Sequence, residues 1–302
     1  MKNRPLVISL FLLIIVGLGL FAWVNSKSLP LAVETGKIEV VASFYPLAFF
    51  AEQIGTDRVN VTNLTPSGVE PHDFEPSTKD LAQMERSQLI LINGAGFEPW
   101  ADRFEQLQPL AVAGTLANLE ILQENVLVRD PHVWLDPVLA QKEVEIITAA
   151  LIQIDPAGKA VYLANQKNLT GRLIALGQEF RAGLANCRQD KIVTSHAAFT
   201  YLAARYGLTQ VALAGLSPDS EPTPREFTDL IKQIREQNIK YIFFESLVSP
   251  RLAQTLASET GAGTLVLNPL EGLTTAEAAA GQDYFSIQRG NLSSLRLALE
   301  CQ

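Results

Sequence analysis

The sequence predicts an α/β protein of two lobes, each built on a parallel sheet, joined by one long backbone helix. Two observations carry this expectation. From Lys37 onward, short β-branched runs alternate with longer amphipathic stretches, the pattern of parallel strands covered by helices. Midway along, a segment from Pro156 to about Leu184 has no internal proline and repeats apolar residues at helical spacing. A chain of 302 residues is long enough to bury cores for two lobes.

The elements follow in order. Lys37–Ser43 (KIEVVAS) is rich in β-branched residues and reads as a strand. Pro46 to Gly55 reads as a helix and Val59–Leu64 as a second strand. Ser77 is a capping residue for a helix to Arg86, and Leu89–Asn93 (LILIN) is a buried strand ended by Gly94 and Gly96. Asp136-Pro137 opens a helix to about Ile154. The first lobe therefore covers 37–155.

The linking segment covers 156–186. Val161, Leu169, Leu173, Leu176, Phe180 and Leu184 carry its apolar spacing. One helix is expected; two shorter helices broken near Gly171 or Gly177 are the alternative. The second lobe, 187–302, resumes the alternation. Its strands are Lys191–Ser195, Gln210–Leu213, Tyr241–Phe244 and Thr264–Leu267. Its helices are Ala197–Tyr206, Arg225–Gln237, Pro250–Thr260 and a last one from about Tyr284 to Leu299, with a loop at Pro218–Pro224. Ligands of such folds bind outside the carboxyl ends of the strands.

Residues 1–28 carry an address. Lys2 and Arg4 precede an apolar run from Leu6 to Val24, the pattern of an export signal. The run is also about long enough to remain as a membrane anchor. Either outcome places the body of the protein in the periplasm, free or tethered to the inner membrane. The net charge of −8 argues against nucleic acid, whose phosphates call for clustered Lys and Arg. Two cysteines, Cys187 and Cys301, pair as a disulfide outside the cytoplasm or stay as separate thiols; their spacing does not decide.

The chain has three histidines. His72 lies in EPHDFEP, His132 in DPHVWLDP, and His196 at the end of the strand KIVTS. Neutral imidazole is a common ligand for zinc and related ions. A ligating ring needs its other nitrogen fixed by a carboxylate or carbonyl, and Asp73, Asp130 and Asp136 stand near enough in sequence to serve. Lone loop histidines are most often surface residues, but three at the ends of predicted strands form a candidate metal site. Catalytic patterns are missing: the sequence has no HExxH, no GxSxG, and no phosphate-binding glycine loop around Gly94–Gly96.

The motifs VVASFYPL, GVEPHDFEPS, DPHVWLDP, KIVTSHAAFTYLAARYGL, EPTP, IFFE and DYFS, spread from Lys37 to the end, resemble the zinc/manganese-type solute-binding proteins of metal ABC importers. The resemblance implies two lobes on one linking helix, a metal in the cleft between them, and delivery of that metal to a membrane permease by a monomeric, non-enzymatic binding protein. It places metal ligands at His72 and His132. A histidine at the third position, His196, marks zinc-type members, and three imidazoles suit Zn2+ better than Mn2+.

The sequence departs from that family in three ways. The usual fourth ligand is an aspartate in an LDPL context, and here that stretch is Leu267-Asn268-Pro269-Leu270. The fourth position is therefore open to Asn268, Glu70, Glu245 or water. The histidine-rich loop of many zinc-type members is missing between Asp73 and Pro131, and so is the N-terminal lipid-anchoring cysteine. Two other readings of the same residues are an exported zinc hydrolase, with Glu70 or Glu245 as base, and an adhesin.

Overall fold

The computed structural model describes residues 36–123, 126–218 and 222–302. The expected export segment, 1–28, lies outside them, as do residues 219–221 of the Pro218–Pro224 loop. Among the described residues no helix is long and apolar enough to cross a membrane. Lys37–Gln302 forms one compact unit.

The first sheet has the order β2-β1-β3-β4, with β1 (Ile38–Ala42), β2 (Val59–Asn63), β3 (Leu89–Ile92) and β4 (Leu110–Ala111). All its pairs are parallel. Every residue of β3 is buried, as expected for a parallel strand covered on both faces, which shows no alternation. Between β1 and β2 runs α1 (Tyr45–Gly55). Gly55 ends it because a Cβ there would lie 2.3 Å from Val59 Cγ2, so only glycine lets β2 start so close to the helix. α2 (Thr78–Met84) carries the expected Ser77 cap, reciprocated by Asp80. A hairpin of β5 (Glu120–Gln123) and β6 (Val126–Arg129), which the sequence did not announce, leads to α3 (Pro137–Ile154). Asp136 caps α3 through the Val138 N–H.

The linking segment is a 3-10 turn, Pro156–Gly158, followed by α4 (Lys159–Gly183). The 25 residues of α4 extend roughly 37 Å at 1.5 Å per residue and run through Gly171 and Gly177. Its buried stripe is Tyr162, Leu169, Leu173, Leu176 and Phe180, packed against α1 and α3. Val161, which spacing put on the stripe, is 40% exposed; the neighbouring Tyr162 turns inward instead, with its hydroxyl donating to Asp155.

The second sheet has the order β10-β9-β7-β8, again all parallel, with β7 (Lys191–Thr194), β8 (Thr209–Ala212), β9 (Tyr241–Phe244) and β10 (Gly263–Val266). Helices α5 (Thr200–Tyr206), α6 (Pro224–Glu236), α7 (Arg251–Thr260), α8 (Thr275–Ala279) and α9 (Tyr284–Ala298) complete this lobe. α5 starts at Thr200 rather than at Ala197 because the His196 carbonyl is taken by side chains, the Thr194 hydroxyl and the Gln210 amide. That carbonyl cannot also begin a helix.

One hydrophobic cluster runs through both lobes. α9 returns to the first lobe, where Tyr284 and Phe285 pack on Phe49 and Phe50 with ring centroids 5.1–6.0 Å apart. A Cys187–Cys301 disulfide ties the C-terminus to the end of α4.

Candidate metal centre

Four side chains converge between the sheets: His72, His132, His196 and Glu271. His72 follows β2 in the 3-10 turn Pro71–Asp73, which the Glu70 carboxylate caps by accepting from the His72 N–H at 3.2 Å. His132 sits between β6 and α3, His196 two residues beyond β7, and Glu271 in the loop after β10. In the second sheet β7 lies between β8 and β9, so His196 stands where the strand order reverses, the place where open α/β sheets bind ligands.

The geometry is close to that of a coordination shell. Glu271 Oε1 lies 3.4, 3.3 and 3.2 Å from the Nε2 atoms of His72, His132 and His196. The Nε2 atoms of His132 and His196 are 3.4 Å apart. Four donors held tetrahedrally at 2.0–2.2 Å from one ion would be about 3.3–3.6 Å from each other. His132, His196 and Glu271 have no solvent exposure.

The outer nitrogens fix the rings. His132 Nδ1 is 2.7 Å from Asp130 Oδ1, which also accepts the His132 backbone N–H at 2.9 Å. His196 Nδ1 is 2.6 Å from Glu245 Oε1, and Glu245 directly follows β9. With Nδ1 donating outward in both rings, each Nε2 presents its lone pair to the centre. Lone pairs facing one another and a carboxylate in a dry site repel, unless a proton or cation lies among them. His72 Nε2 and Glu271 Oε2 are buried without a hydrogen-bond partner. Phe97 backs the His72 ring at 4.5 Å, and Trp134 backs His132 at 5.1 Å.

The electrostatics follow from this packing. Burial disfavours the imidazolium at His196, but Glu245 and Glu271 outweigh it and hold the ring well above its ordinary value. At His132 burial is likewise overcome, chiefly by Asp130, and the value is raised. Burial prevails at His72, which is lowered. Glu271 is held well below the usual carboxylate range despite its burial, because His196 and the other rings surround it. Glu70 is pushed up to about 9 by burial and by the nearby Glu271 charge.

The expected residues thus divide. The three histidines come together. Asp130 Oδ1 lies 2.7 Å from the outer nitrogen of His132. Asp136 instead caps α3 and pairs with Arg205 at 2.7 Å, and Asp73 shares the turn of His72. Glu245 reaches the outer nitrogen of His196, so it orients a ring rather than joining the inner donors. Glu70 Oε1 accepts the His72 backbone N–H, while its Oε2 is buried without a hydrogen-bond partner.

Asn268 does not point into the centre. Its Oδ1 accepts from the Leu270 N–H at 2.7 Å, and its Nδ2 donates to Ser246 and Glu277. It thereby shapes the loop that presents Glu271. Leu270 there has φ +58°, a left-handed conformation uncommon for leucine. The captured N–H and a Trp134 Nε1 bond to the Pro269 carbonyl at 2.8 Å hold this turn in place. Glu271 was the residue missed. Its signal was its place as the first acid after β10, three residues past Asn268.

Comparison with known proteins agrees with this picture. The chain is 39% identical over 280 residues to the high-affinity zinc uptake system protein ZnuA of Bacillus subtilis, covering 87% of this chain and 88% of that protein. It is 36% identical over 306 residues to the zinc-binding lipoprotein AdcA of Streptococcus pneumoniae, spanning 96% of this chain but 60% of the longer AdcA. The crystal structure of the Zn(II)-bound ZnuA-like domain of that AdcA superposes with a TM-score of 0.76 at 36% identity, over 88% of this chain and all of that domain. The family described as ZnuA, zinc-uptake complex component A, periplasmic, matches residues 40–298, and this chain belongs to it.

Proposed function

We propose that the protein captures Zn2+ outside the cytoplasm and passes it to the membrane permease of an ABC importer. The observation that carries this reading is the set of 3.2–3.4 Å separations among three imidazole nitrogens and one carboxylate oxygen. Three imidazoles with a single carboxylate favour zinc over manganese, which prefers more oxygen donors. The metal is cargo: residues from both lobes supply the donors, so taking it up draws the lobes together.

Binding rather than turnover is supported by the same geometry. A catalytic zinc keeps one position open for water, whereas here Glu271 Oε1, 3.2–3.4 Å from all three Nε2 atoms, would supply a fourth protein donor. Glu245, a candidate base, is engaged with His196 on the far side of the ring. The chain acts as a monomer in the periplasm, and the apolar segment within 1–28 delivers it there or tethers it. The test is to equilibrate the purified protein with equal zinc and manganese and measure bound metal by elemental analysis. One zinc and negligible manganese per chain is expected; a manganese majority overturns the assignment.

A further inference from the structure

The loop that carries His132 is gripped at both ends by one short helix of the opposite lobe. At its start stands Asp130, which orients the His132 ring. The Tyr201 hydroxyl donates to the Asp130 carbonyl at 3.0 Å and accepts the Leu119 N–H at 3.0 Å. At its end stands Asp136, which receives Arg205 through Nε at 2.9 Å and through a terminal nitrogen at 2.7 Å. Both grips come from α5, whose residues four apart share a face. α5 starts four residues after His196.

The contact is buried on the loop side. Tyr201 is 4% exposed, and its ring sits in a cluster with Ala113, Ala117 and Val133 of the first lobe. The Asp136 side chain is 2% exposed, while Arg205 is 35% exposed. Both Arg205 nitrogens reach the same oxygen, Asp136 Oδ2, while Asp136 Oδ1 accepts the Val138 N–H, so the carboxylate is held on both oxygens by charge-assisted and backbone bonds.

We propose that Tyr201 and Arg205 are positioning residues that form an interlobe clasp, which holds the His132 loop against the His196 side and so sets how long the metal is retained. Neither touches the donor atoms. Tyr201 acts through Asp130 on the His132 ring, and Arg205 fixes the other end of the same seven-residue stretch. Separating the lobes requires both bonds to break, and breaking them frees the carbonyl end of the residue that aims His132. Metal release is then linked to clasp opening, and a permease that pries the lobes apart must break these polar contacts among those that join the lobes.

This inference rests on the zinc reading above, and the experiment separates the two. Zinc-loaded full-length wild type, Tyr201→Phe and Arg205→Gln are mixed with excess EDTA, and zinc release is followed with time. Urea unfolding of each protein is measured with and without zinc. Tyr201→Phe keeps the ring in its cluster and removes only the hydroxyl. Each variant is expected to release zinc about tenfold faster, the effect of losing one buried polar contact, and to show a smaller zinc-induced rise in the unfolding midpoint. A purely structural role would lower the metal-free midpoint and leave release rate and zinc-induced rise as in wild type, which overturns the clasp. If wild type itself takes up no zinc, the metal-centre reading fails, and the clasp with it.

Discussion

Replacing Glu271 by alanine tests the fourth donor. Its carboxylate is fully buried and lies within 3.4 Å of all three ring nitrogens. A zinc site of four protein donors binds with roughly 10–16 kcal/mol, so one donor accounts for about 2.5–4 kcal/mol. At about 1.4 kcal/mol per decade, Glu271→Ala should weaken zinc binding on the order of 100- to 1,000-fold. Glu70→Gln is the matched control. Glu70 is pushed up to about 9, so it is neutral at pH 7 in the metal-free protein, and glutamine nearly reproduces it. Its effect should stay below about tenfold, the low end for an outer group. The assay is chelator-competition titration at pH 7.5. Affinity within a few-fold of wild type for Glu271→Ala, with a large loss for Glu70→Gln, would refute the donor assignment.

Other outcomes follow from the same structure. Because His196 and His132 are raised, zinc must displace their protons, so affinity should fall as pH drops in a titration series, beginning above the ordinary histidine value of about 6.5. For the metal-free fold the sign is opposite: these two histidines add stability that is full below the unfolded value near 6.5 and is lost as pH rises through their higher folded values, visible as a falling urea midpoint. Glu143 is buried in α3 with neither carboxylate oxygen hydrogen-bonded, and burial holds it well above the usual range. Glu143→Leu should therefore raise stability at pH 7 by about 1–3 kcal/mol in urea unfolding, and a loss instead would show an unrecognised partner. Reducing the Cys187–Cys301 bond, which closes a separation of 114 residues, should cost about 2–4 kcal/mol in the same assay.

Much of the fold was legible because burial on both faces writes parallel strands as short apolar runs. LILI and YIFF could be read directly, and the strand bounds agree within one or two residues. The 25-residue helix was legible from its missing prolines and repeating Leu and Phe. The hairpin at Glu120–Arg129 was not, since several of its residues, Val126 and Leu127 among them, face solvent and carry no core pattern. The His positions could be read because each follows a strand or a proline-bounded turn. Glu271 could not, because what brings it inward is tertiary: the Asn268 bond to the Leu270 N–H, the left-handed Leu270 and the Trp134 bond to Pro269. Asn268 was one candidate for the fourth position from its place in the sequence alone, and its side chain is bonded within the loop. The division of Asp130 and Asp136 is similar. Both flank His132 in sequence, but one faces the ring and the other faces Arg205.

The central claim is a zinc ion held by three imidazole nitrogens and one carboxylate oxygen. X-ray absorption at the zinc edge of the loaded protein measures this directly. Four nitrogen or oxygen neighbours at about 2.0–2.1 Å, with the multiple-scattering signature of three imidazoles that drops to two in His196→Ala, are expected. A six-coordinate oxygen-rich shell, or a spectrum unchanged by His196→Ala, would contradict the account.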